Sequence, residues 1–202
     1  MVMRKRPLGM SLVAVLIAIL FAAPQVFGLS DAYKGNIYDA GRLKPTDSQL
    51  KVKVGEPAPD FTLRAVSGEK ITLCQYRGKK NVVLSFVPAA WTPVCSDQWP
   101  GYNIVREMFD HHNTTLLGIT VDNIPTLFSW TNQMGKLWFP VLSDFYPHGQ
   151  VAEAYGLLRS DGTAERALIV IDREGVIRYI DVQDINERPS LEKLMQAVEK
   201  LR

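Results

Sequence analysis

Cysteine is scarce in this 202-residue chain: there are two, Cys74 and Cys95. Two cannot build a disulfide framework, and their separation excludes a C-x-x-C metal or redox pair. Histidine is nearly as rare. His111 and His112 fall at the end of an expected helix, where a negative dipole end suits them, and His148 falls in a loop, so none is assigned to a metal. Excess charge is also missing. The formal net charge is +2, and Arg4, Lys5 and Arg6 supply the excess with no acid nearby. Without residues 1–28 the chain keeps 20 basic and 21 acidic residues, a balance that gives no reason to expect a nucleic-acid partner. Nor is there a disordered or collagen-like bias, with 47% hydrophobic and 22% charged residues.

Charge is absent altogether from residues 7–30. The apolar heart of this stretch, residues 8–23, is long for the core of a secretory signal and short for a full membrane span. Val26-Phe27-Gly28 could serve as a cleavage site. A cleaved signal and a retained N-terminal anchor both fit residues 1–30. The basic flank places the N-terminus in the cytoplasm and the rest outside. The expected location is therefore the periplasm or the outer face of the cytoplasmic membrane. Residues 31–52 contain Gly35, Gly41, Pro45 and scattered apolar positions, a mixture that suits a linker or an ordered arm.

What the chain does have is organised around Val87-Pro88-Ala89-Ala90-Trp91-Thr92-Pro93-Val94-Cys95-Ser96-Asp97-Gln98. The apolar run 81–86 before it reads as a buried strand, and the sequence predicts a helix over 102–109 after it. Cys95 then sits at a strand-to-helix junction, in or near a first turn. Unpaired N–H groups and the positive dipole end favour a thiolate there, which makes Cys95 a candidate nucleophile. The competing assignment is a buried small hydrophobe. Thr92 is expected to return to the thiol across one turn, with a hydroxyl able to donate to sulfur and accept from a substrate. Pro88 would close the pocket with a ring that lacks an N–H. Pro100 should kink the following helix.

Pro88, Thr92 and Cys95 form P-x-x-x-T-x-x-C, and this pattern resembles the peroxiredoxins, thiol peroxidases of the thioredoxin superfamily. The run GEPAPDFTL…ITLCQYRGKKNVVLSFVPAAWTPVC carries the resemblance further, as does the stretch from Ser143-Asp144 to Tyr155-Gly156, so that it covers roughly residues 53–200. It implies an α/β, thioredoxin-like fold: a central mixed β-sheet flanked by helices over residues 53–202. It also implies that Cys95 attacks a peroxide O–O bond within a pocket shaped by Thr92 and Pro88. The family's essential arginine falls at Arg166, where a guanidinium would favour a thiolate and donate to peroxide oxygens. The backbone at Val94 and Cys95 would assist. Many peroxiredoxins carry Glu three residues after the nucleophile; Gln98 stands there, so support for the arginine is altered.

The same resemblance bears on partners. Cys74 either resolves Cys95 or is a bystander. The family's usual resolving positions lie elsewhere, which favours the bystander and a one-Cys enzyme relying on an external thiol or a thioredoxin-like reductant. Hydrogen peroxide or an organic hydroperoxide is the expected substrate. No metal, flavin or nucleotide cofactor is implied, a homodimer stays open, and a retained anchor would add the membrane as a partner. Two other functions compete. An exported thioredoxin-like thiol-disulfide oxidoreductase would need a cysteine where Thr92 stands, and a cis-proline in the place held by Arg166. A redox-sensing binding module would not consume peroxide catalytically.

Along the rest of the chain, the alternation of Phe61, Leu63, Ile71 and Leu73 predicts a hairpin. Residues 115–121 read as a second core strand and 125–134 as a helix in which Phe128 and Trp130 pack. Residues 166–171 and 176–180 read as a hairpin around Asp172-Arg173-Glu174-Gly175. Ser190 is placed to cap a last amphipathic helix bearing Leu191, Leu194, Val198 and Leu201 on one face.

Overall fold

The computed structural model describes Tyr33 and residues 35–201; the uncharged segment at 7–30 lies outside them. Among the described residues no helix is long and apolar enough to cross a membrane.

The described residues form one seven-stranded sheet in the order β2-β1-β5-β4-β3-β6-β7. Its strands are β1 (Thr62–Ala65), β2 (Lys70–Thr72), β3 (Asn81–Phe86), β4 (Thr114–Thr120), β5 (Val141–Ser143), β6 (Ala167–Ile171) and β7 (Ile177–Val182). The sheet is mixed: β3, β4 and β5 run parallel, β6 is antiparallel to β3, and hairpins β1–β2 and β6–β7 finish the two sides. Every residue of β3 and β6 is buried. Successive side chains alternate between faces, so both faces of these strands must be covered, and they read as continuous apolar runs.

The helices are α1 (Pro93–Gly101), α2 (Arg106–His111), α3 (Ile124–Met134), α4 (Gln150–Tyr155) and α5 (Leu191–Glu199). Val83, Leu116, Leu168 and Val170 pack on one face with Trp99, Leu127, Trp130, Leu194 and Val198 from α1, α3 and α5. Leu84, Leu117, Ile169 and Ile171 pack on the other with Ala152 and Tyr155 from α4. Ser190 caps α5 by accepting from the Lys193 N–H, and Asn123 caps α3 by accepting from Thr126 at 3.0 Å.

Two expectations need correction. The helix expected over 102–109 is two pieces, because α1 starts earlier, at Pro93, and ends at Pro100-Gly101. Pro100 has no N–H and Gly101 favours an unwound backbone, so a 3-10 segment, Tyr102–Val105, intervenes before α2. Phe128 does not pack into the core: it lies on the outer side of α3 and is 56% exposed, whereas Trp130 is fully buried.

Residues 35–52 are an ordered strap laid along the domain. The Ile185 N–H donates to the Pro45 carbonyl at 3.0 Å and the Lys51 N–H to the Tyr155 carbonyl at 3.1 Å. At Gly156, in a left-handed conformation with φ 72°, a Cβ would stand 2.1 Å from the Gln49 carbonyl oxygen. Only glycine lets the strap pass so close.

Candidate active site

The strand-to-helix junction after β3 fixes the site. Thr92 is the N-cap of α1 and Pro93 its first residue, a position that needs no N–H. Val94 and Cys95 follow in the first turn, where backbone donors have no intrahelical acceptor. Thr92 does not cap them with its side chain. Two N–H groups without intrahelical acceptors and the positive helix end thus share the first turn with Cys95.

The loop leading to Cys95 is held in an unfavourable shape. Trp91 has φ 60°, a conformation rare for a bulky residue and worth about 1–2 kcal/mol of strain. Bonds on either side keep it there. The Ala90 N–H donates to Asp122 Oδ2 at 2.8 Å, that same oxygen accepts from the Thr120 hydroxyl at 2.5 Å, and the Trp91 carbonyl accepts from the Tyr38 N–H at 2.8 Å.

Arg166 reaches this point from the residue preceding β6. Its Nη2 donates to Cys95 Sγ at 3.4 Å and to the Ile185 carbonyl at 2.9 Å. Its Nε donates to the same carbonyl at 3.1 Å, and its Nη1 to Gln98 Oε1 at 2.5 Å. Both Arg166 and Cys95 are buried. Negative charge on the sulfur therefore meets a cation whose orientation is fixed from three sides. The neutral Gln98 does hold the arginine, using its amide oxygen. Its amide nitrogen donates to Tyr102 Oη at 2.9 Å and to Ser85 Oγ at 3.3 Å. Burial pushes the Tyr102 phenol up, opposed by Ser85 and Gln98, so it keeps its proton at neutral pH.

Pro88, Thr92, Val94 and Arg166 line one cleft of about 640 Å3. Thr92 departs from expectation in one respect. Its hydroxyl donates to the Ala89 carbonyl at 2.9 Å and makes no hydrogen bond to the sulfur. With its proton committed, the oxygen is left to accept. Cys74 is not brought to the site. It is exposed and lines a crevice with Lys80, Val82, Ile171 and Asp172, where β3 begins and β6 ends. Cys95 follows the opposite end of β3. That strand spans roughly 17 Å at about 3.3 Å per residue, whereas a disulfide needs Cα atoms within about 7 Å. Asp60 also acts on Cys74: hydrogen bonding to it, with a smaller contribution from desolvation, pushes the thiol up, which disfavours the nucleophilic form. No group of three or more His, Cys, Asp or Glu residues suited to a metal ion occurs among the described residues.

Sequence reasoning missed Ser85, Tyr102 and the Ile185 carbonyl. Ser85 left a trace, as the one hydroxyl inside the apolar run of β3: it also accepts from Trp99 Nε1 at 3.2 Å, seating α1 on the sheet. The Ile185 carbonyl left none, since any residue has one.

A cysteine at a helix start, paired with a buried arginine on a thioredoxin-like sheet, defines a class of thiol-based redox proteins. Comparison with known proteins narrows it. The AhpC/TSA family model matches residues 54–180. Alkyl hydroperoxide reductase E of Mycobacterium tuberculosis is 40% identical over 137 residues, 67% of this chain and 89% of that protein. The chloroplastic 2-cysteine peroxiredoxin of Chattonella marina is 30% identical over 161 residues, covering 75% and 82% of the two chains. Among solved structures, the reduced 2-Cys peroxiredoxin of Plasmodium vivax superposes with a TM-score of 0.68 at 26% identity, covering 73% of this chain and 81% of that one. The chain belongs to the AhpC/TSA family and is a peroxiredoxin-type thiol peroxidase.

Proposed function

We propose that the chain is a one-Cys peroxidase in which Cys95 reduces hydrogen peroxide or an organic hydroperoxide and an external thiol restores it. The observation that carries this is the 3.4 Å contact of Arg166 with Cys95, with the second cysteine at the far end of β3. The Cys95 thiolate attacks the terminal peroxide oxygen. An S–O bond forms, the O–O bond breaks, and the leaving alkoxide or hydroxide takes a proton from solvent. Arg166 and the N–H groups of Val94 and Cys95 stabilise charge shifting across the two oxygens. Thr92 Oγ1 accepts from the peroxide O–H and orients it.

Cys95 is left as a sulfenic acid. An external thiol condenses with it, forming a mixed disulfide and releasing water, and a second thiol reduces that disulfide. A thioredoxin-like protein or a small thiol supplies both. The sequence of residues 1–30 supports work outside the cytoplasm, as an exported or anchored protein, and cell fractionation tests that location.

Intact mass after one equivalent of hydrogen peroxide tests the chemistry. The reduced protein should gain one oxygen, and Cys95→Ser should gain none. Cys74→Ser should turn over with an added thiol at the unaltered rate. Loss of two hydrogens within one chain would make Cys74 the resolving residue and defeat the one-Cys assignment.

A further inference from the structure

The strap is the part of the described chain that the peroxidase site does not account for. It precedes the stretch matched by the family model, yet it is fastened by specific groups. Asn186 clasps Leu43 twice: its Oδ1 accepts from the Leu43 N–H and its Nδ2 donates to the Leu43 carbonyl, both at 2.9 Å. A buried pair fastens the next turn. Arg159 Nη1 donates to Glu165 Oε2 at 2.8 Å, Arg159 Nη2 donates to the Lys44 carbonyl at 2.9 Å, and Glu165 Oε1 accepts from the Asp47 N–H at 2.6 Å. Glu165 is fully buried and directly precedes Arg166. The strap also holds the strained loop through the Tyr38–Trp91 bond.

This fastening turns the strap into a wall of the reaction cleft. Tyr38, Ala40 and Leu43 line it on one side, and Pro88, Pro93 and Val94 on the side of the nucleophile. Hydrogen peroxide needs little of this space. A water molecule takes about 30 Å3 in the liquid, and the cleft is about 640 Å3. Tyr38 is 71% exposed and Leu43 37%, two large apolar side chains with no core to fill, held on the wall of the cleft that Thr92 and Arg166 also line. An apolar cleft with a few convergent polar groups at one end suits a molecule that is mostly hydrocarbon with one polar terminus.

We propose that the strap is a specificity element: Tyr38 and Leu43 hold the hydrocarbon body of an organic hydroperoxide so that its peroxide end reaches Arg166 and Cys95. This rests on the peroxidase mechanism above and adds to it two residues, outside the stretch matched by the family model, that select among its peroxides.

The test compares kcat/KM for cumene hydroperoxide and hydrogen peroxide in the full-length chain, with an added thiol as reductant. Tyr38→Ser/Leu43→Ser keeps the backbone bonds of the strap and removes its apolar face. It should lower the cumene hydroperoxide value at least tenfold more than the hydrogen peroxide value, mostly through KM. Asn186→Ala, which unclasps the strap while keeping both apolar side chains, should move the ratio in the same direction and guards against a poorly folded double variant. An unchanged ratio in both variants, or an equal fall for both peroxides, overturns the proposal and leaves the peroxidase intact. A wild-type chain that consumes neither peroxide overturns the peroxidase mechanism and the proposal with it.

Discussion

Arg166 makes four hydrogen bonds from one guanidinium, to Cys95, to Gln98 and twice to the Ile185 carbonyl. That arrangement needs a planar fork, which lysine lacks. Arg166→Lys keeps the charge and loses the geometry, and peroxide consumption should fall about 10²–10³-fold, the usual cost of removing one preorganised donor. Gln98 is tested separately. Gln98→Ala leaves a buried guanidinium N–H without an acceptor, worth about 1–3 kcal/mol. It should lower both the thermal midpoint and the rate, while Gln98→Glu restores an acceptor and keeps the activity. The placement of Cys95 in a first helical turn, with Thr92 and Pro88 on one cleft, was legible in the sequence because it depends on residue type and short spacing. Arg166 was legible only through family resemblance, since it lies 71 residues from its partner and an isolated arginine carries no signal of its own. Gln98 looked like weakened support because its charge was counted; its carbonyl oxygen is what the arginine uses.

At the scale of elements the strap has the most to say. Its fastening is mainly backbone to side chain, as at Lys44, Asp47 and Leu43. Composition is blind to such bonds, so a stretch poor in apolar residues fits a linker and an ordered arm equally well. Two aspartates at its fastenings make it acid-sensitive. Lys44 and Ser160 hold the Asp47 carboxyl well below the usual range. The backbone and side chain of Asn186 lower Asp184, with Arg42 and Arg166 adding to the effect. Both folded-state values lie below the unfolded ones, so the unfolded chain binds more protons in that window and stability rises with pH. The contribution is complete above the ordinary aspartate value of about 3.9 and is lost as pH falls through the lowered values. Urea midpoints should therefore separate wild type from Asp47→Asn/Asp184→Asn at pH 6, and the gap should close as pH drops below about 3.

At the scale of the whole molecule, two cores share one sheet. The central strands announced themselves in the sequence as uninterrupted apolar runs, and the hairpins through Gly-containing turns. The break between α1 and α2 was harder to place, because the periodicity of Tyr102, Val105 and Phe109 continues across an unwound segment. A common sheet should make the two cores unfold together. Trp130 is fully buried, packs 5.0 Å from Trp99 between ring centroids and donates to Ser96 Oγ at 2.9 Å. Trp130→Ala should remove about 3–5 kcal/mol in a single urea transition, with far-UV and fluorescence signals shifting together.

The distance along the chain between Cys95 and Arg166 has a consequence during biosynthesis. A ribosome adding about 5–20 residues per second takes roughly 4–14 s to pass from one to the other, and the Ile185 carbonyl that orients the guanidinium comes later still. Through that interval the nascent polypeptide carries its thiol without the group that makes it a peroxidase. Catalytic competence arrives only once Arg166 and Ile185 have both been added, so a product that stalls before them carries the thiol without its fixed cation.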